Sequence, residues 1–141
     1  MRSKAPLALM EQLVMALVFA LAAALCVQAF ALSSRISRTG AARDRAVIEA
    51  QNAAERCKAE GFDAARLEGQ LTGRTEQGVV YAHYDENWET VGYLAEYAYC
   101  LQVQNVPAQP GLGKAEVRVS TADGEILSEL FVAWQEVDGD A

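Results

Sequence analysis

Few side chains in this sequence have the types and spacings that chemistry requires. It has one histidine, His83, set between Ala82 and Tyr84, and three widely separated cysteines, Cys26, Cys57 and Cys100. A zinc site needs paired nitrogen and sulfur ligands at short spacings, and a catalytic histidine needs a nucleophile and an orienting group. Neither pattern occurs, nor does a phosphate-cradling glycine loop or a nucleophile elbow. The expectation is a protein without catalysis, cofactor or metal, in which His83 is structural. Asp85, Glu86, Glu89 and Glu96 make a loose acidic group without the spacing of a calcium loop, and they read as a solvated loop. Cys26 lies in an apolar run and reads as a packing or lipid-facing residue. Cys57 and Cys100 have two outcomes: a disulfide in an oxidising compartment, or two separate buried thiols. Tyr81, Tyr84, Trp88, Tyr93, Tyr97 and Tyr99 read as core and cross-strand packing, with a partner-contact patch as the other reading.

The charges are distributed unevenly over the elements that carry these residues. The chain has 141 residues and a net charge of −7. Up to Arg45 there are six basic side chains against two acidic ones, a net +4, while the remainder carries −11. Acidity of that size in the second part argues against nucleic-acid binding, and such asymmetry suggests one end facing a membrane or polyanion and one solvated end. Leu13–Val27 is an unbroken apolar run that continues past Gln28 to Leu32. Twenty residues of helix span roughly 30 Å, the thickness of a bilayer's hydrocarbon core. A transmembrane helix over 7–32 is the expectation, with the lipid bilayer as first partner. The lesser alternative is a secretory signal cleaved after Ala29-Phe30-Ala31. Ala16, Ala20 and Ala24 recur every fourth residue, as in stripes that let membrane helices approach closely.

Residues 33–60 continue as a soluble helical extension. An apolar stripe runs through Leu32, Ile36, Val47, Ala50, Ala54 and Cys57, with Thr39-Gly40 as a bend or short break and Gly61 as the stop. Asp63 caps a short helix over 64–71 that ends at Gly73. The period then changes to two. Strands are expected over 79–84, over 88–91 after a turn at Asp85-Glu86-Asn87, and from Tyr97 to Gln104 within 93–106. Residues 107–113 make a loop. Lys114–Thr121 and Glu125–Gln135 flank Asp123-Gly124 as a hairpin. A two-residue loop there sets Thr121 against Ile126, Val119 against Ser128, Arg118 against Glu129 and Val117 against Leu130. The layout is α+β: a long N-terminal helix on a small antiparallel sheet of four to five strands. The expected organisation is leader 1–6, membrane helix 7–32, extension 33–60, sheet domain 61–137 and tail 138–141.

The N-terminal segment carries a resemblance. Arg2-Ser3-Lys4 precedes Pro6-Leu7-Ala8-Leu9-Met10-Glu11-Gln12-Leu13-Val14, and an apolar helix then runs into a soluble domain. This layout resembles the type IV pilin and pseudopilin family, whose members carry one glutamate near the start of the apolar helix; Glu11 matches it. The family's glycine before the processing point and its first aromatic residue have no counterpart here. The resemblance implies a structural subunit of an envelope filament or secretion-type assembly. It would pack with like subunits through the N-terminal helix, with Glu11, Ala16, Ala20 and Ala24 at the contacts. The alternative for Glu11 is an interfacial carboxylate paired with Lys4 or water; for the whole chain it is a membrane-tethered binding or adaptor module. Lys/Arg counting favours a cytoplasmic C-terminal side. The resemblance implies a cytoplasmic N-terminus and an outer sheet domain, and we adopt it, with Arg35, Arg38, Arg43 and Arg45 then facing anionic headgroups.

Overall fold

The computed structural model describes residues 5–136. The leader residues Arg2, Ser3 and Lys4 and the tail 138–141 lie outside the described residues. Two compact units divide the chain, one up to Ala41 and one from Ala42 onward. The boundary falls inside the expected extension, so 33–41 group with the apolar segment and 42–60 with the sheet.

Helix α1 covers Ala5–Glu60. Helical structure is continuous through Thr39-Gly40, so the expected break is absent; the Thr39 hydroxyl donates to the Arg35 carbonyl at 3.1 Å, one turn back. The helix stops where Gly61 takes φ +76°, the left-handed conformation that glycine adopts without steric cost. In the first unit every described side chain from Pro6 to Ala41 is exposed, including Phe19 and Phe30. This helix is long and apolar enough to cross a membrane.

In the second unit α2 covers Ala64–Leu71, capped by Asp63, whose carboxylate accepts from the amides of Ala65 and Arg66. Six antiparallel strands follow, where four to five were expected. They are β1 (Arg74–Glu76), β2 (Val79–Tyr84), β3 (Thr90–Val91), β4 (Tyr99–Asn105), β5 (Leu112–Thr121) and β6 (Ile126–Gln135). Their order is β1-β2-β4-β5-β6, with β3 sharing the β1 edge of β2. The unexpected strand is β1, a three-residue arm closed by Gln77 and Gly78, both at positive φ. Strand β4 begins at Tyr99, two residues after the expected start: Tyr97 lies outside the ladder, its ring stacked on His83.

The β5–β6 hairpin pairs Val119 with Ser128, Arg118 with Glu129 and Val117 with Leu130, as the alternation predicts. The expected Thr121–Ile126 pair is replaced by Ser120–Ile126. The Thr121 amide bonds the Glu125 carbonyl, making a three-residue loop, and Leu127 is the extra residue of a bulge that restores the register.

One sheet face packs on the C-terminal part of α1. Ala46, Ala50, Ala53, Ala54 and Cys57 of the helix meet Val80, Leu101, Val103, Val117 and Val119 of the strands, closed at one side by Leu67 and Leu71 of α2. The helix stripe is therefore shifted from the expected one. Leu32 and Ile36 are exposed, and Val47 is 39% exposed while Ala46 and Ala53 are fully buried. The small helix side chains leave volume that the branched strand residues fill.

Candidate functional site

Two regions bear on function, one in each unit. The first is the exposed apolar surface of α1. Glu11 lies among Leu7, Ala8, Met10, Val14 and Met15. At about 100° per residue, Ala16, Ala20 and Ala24 lie roughly 140° to 220° around the helix from Glu11. The carboxylate and the alanine stripe thus occupy opposite sides of α1, giving the helix two chemically distinct faces.

The second region is the sheet face turned away from α1. Alternation along β2, β4 and β5 sends Val80, Leu101 and Val117 to the helix and His83, Cys100, Gln102, Gln104, Glu116 and Arg118 to the other side. A polar row crosses this face. Glu116 is buried; Gln104 donates to one of its oxygens and Arg118 to the other. Arg118 Nη2 also donates to Glu129 at 2.8 Å. That bond holds the Glu129 carboxyl below its ordinary range. The Nε of Arg118 is buried without a partner among the described residues.

Beside the row, planar groups stack. His83 lies 4.1 Å from the Tyr97 ring and 5.5 Å from the Tyr93 ring, both near-parallel. Arg74 sits over the far ring, 4.6 Å from the Tyr93 centroid, and the Tyr93 hydroxyl donates to Glu76 at 2.6 Å. Accepting that hydrogen bond, the Glu76 carboxylate favours the protonated phenol and raises the Tyr93 pKa. Burial lowers the His83 pKa, because desolvation disfavours the charged imidazolium.

Cys57 and Cys100 are free and buried. Cys57 belongs to the helix–sheet core, whereas Cys100 pairs with His83 and Ser120 on the opposite face. The sheet separates them, and the disulfide outcome is not the one formed. Burial pushes the Cys57 thiol up to about 11 and the Cys100 thiol upward as well. A thiol held protonated is a poor nucleophile and a poor metal ligand, and His83 beside Cys100 does not activate it.

The acidic group also resolves into local structure. One oxygen of Asp85 accepts from the amides of Asn87 and Glu89 and closes the turn after β2. No group of three or more potential metal-ligating side chains gathers among the described residues. The aromatic run divides between the faces: Trp88 stacks on Tyr99 at 4.0 Å beside Tyr84 on the helix side, while Tyr93 and Tyr97 are exposed and cover buried His83 on the other.

Sequence reasoning placed Arg118 opposite Glu129 but missed Glu116 and Gln104. The signal was present, since both are polar positions alternating with the apolar positions of β4 and β5. The Arg74–Tyr93–His83–Tyr97 stack had no comparable signal, because it joins two strands to a loop. Comparison of the chain with protein-family models, curated proteins and solved structures gives no match.

Proposed function

We propose that this chain is a membrane-anchored structural subunit that packs with copies of itself through the apolar part of α1, in the manner of a pilin-like protein of an envelope filament or secretion-type assembly. The observation that carries the reading is the apolar surface from Leu13 to Leu32, exposed throughout and free of charge. In water such a surface is strongly unfavourable, and lipid and neighbouring helices are the environments that accept it. Glu11 ahead of it is costly in hydrocarbon unless a partner group or the interface receives it. The alanine stripe offers close helix–helix approach on one side and Glu11 a polar contact on the other, so each helix would touch neighbours on two sides. In this reading the sheet domain faces outward and has no catalytic role.

The second reading is a lone tethered binding module, favoured by the exposed Tyr93 and Tyr97 on an uncovered sheet face. Cysteine cross-linking in native membranes separates the two. With Cys26→Ser as background, Ala20→Cys should form cross-linked dimers, and Phe19→Cys, between the alanine face and the Glu11 face, should form fewer. Adding Glu11→Ala should lower the yield at Ala20→Cys. Absence of cross-linking at both positions leaves the tethered module as the better account.

A further inference from the structure

The four arginines that follow the apolar segment are not equivalent. Arg43 is 3.4 Å from Glu125 and Arg45 is 3.1 Å from Glu49. Arg35 and Arg38 are exposed and enter no ion pair among the described residues. No acidic residue occurs between Glu11 and Asp44, so no carboxylate neighbours them on their own stretch of helix. Three residues apart, they are neighbours on the helix surface.

Their height and azimuth are informative. Beyond Leu32, Arg35 lies about 4.5 Å and Arg38 about 9 Å further along the axis. The polar layer of a bilayer leaflet occupies roughly the 5–8 Å outside the hydrocarbon core. Nearer the membrane centre a shallow groove on α1 is lined by Cys26, Val27, Phe30, Ala31 and Ser34, centred roughly 70° around the helix from Ala31 on the side of Arg38. Arg35 and Arg38 flank the azimuth of Ala31, at about +40° and −20°. A guanidinium pair at headgroup height over an apolar groove has the form of a phospholipid site. The fork geometry of arginine suits a phosphate, and the groove suits an acyl chain.

We propose that Arg35 and Arg38 bind the phosphate of an anionic phospholipid whose acyl chain lies along Val27, Phe30 and Ala31. The proposal rests on the membrane-anchor reading but holds for either orientation of the helix. Arg43 and Arg45, committed to Glu125 and Glu49, take no part.

The test uses the full-length chain. First it is floated with vesicles of uncharged phosphatidylcholine. Then, in nonionic detergent, it is titrated with phosphatidylglycerol or with phosphatidylcholine of the same acyl chains, and bound lipid is counted by native mass spectrometry. Wild type should float and should prefer phosphatidylglycerol. Each arginine near an anionic surface contributes about fivefold. Arg35→Gln with Arg38→Gln should bring the preference close to one, and Arg43→Gln with Arg45→Gln should leave it unchanged. A preference that survives the first double change, or falls equally with the second, overturns the lipid site while leaving the anchor intact. Failure to float overturns the anchor and the site together.

Discussion

Cys57 and His83 make opposite demands on pH. The Cys57 thiol titrates at about 11 in the fold against 9.0 in an exposed chain. The unfolded chain therefore loses this proton first as pH rises. Its contribution is complete below pH 9 and is lost toward 11, on the order of 2 kcal/mol. For His83 the folded value lies below the ordinary 6.5. The unfolded chain binds the proton more readily, so this contribution is present above pH 6.5 and fades as pH falls below it. Urea unfolding across the pH range should show stability declining on both sides, and Cys57→Ala should flatten the alkaline side. At the polar row, Arg118→Ala leaves buried Glu116 with Gln104 alone, and should cost about 1–3 kcal/mol in the same measurement. The Arg118–Glu129 pair was legible because opposite charges met in the predicted register. Which of the two sulfurs faced the helix was not, because strand parity for Cys100 follows only once Leu101 is known to be in the core.

At the scale of elements, α2 followed from the Asp63 cap and the hairpin from the alternation of β5 and β6 beyond the bulge, whereas the turn closes with three residues instead of the two that Asp123-Gly124 suggested. The helix stripe did not, for a steric reason. Hydrophobicity favours Val47 as a core residue, but the sheet accepts the alanine face beside it. Ala50→Leu should therefore overpack the helix–sheet contact and lower stability by about 1–3 kcal/mol. Val47→Ser should stay within about 0.5 kcal/mol, as exposed substitutions do. Thermal unfolding followed by circular dichroism distinguishes the two. Gly113 marks another contact that no sequence pattern announces. A Cβ there would stand 2.2 Å from the Trp134 ring of the paired strand, so any side chain displaces the indole. Gly113→Ala should shift tryptophan fluorescence and lower the melting temperature. The short strand β1 went unread because three residues closed by Gln77-Gly78 give too brief an alternation to register.

For the molecule as a whole, length and charge separated an apolar N-terminal segment from an acidic domain, while the two units divide at Ala41/Ala42, inside the expected extension. The sheet's small core is completed by alanines and Cys57 of α1, so the second unit depends on helix residues from Ala46 onward. Truncation after residue 60, leaving 61–141, should therefore expose Val80, Leu101, Val103, Val117 and Val119 and yield an aggregating chain, whereas 42–141 should be soluble and folded. The central claim is that the apolar stretch of α1 remains in the mature protein and holds it in the membrane. The most direct measurement is the intact mass of the chain in carbonate-washed membranes and in the soluble fraction of the same cells. The account predicts a membrane-retained species that includes Glu11 and everything after it. A soluble species beginning near Leu32, after loss of the apolar run, would contradict it.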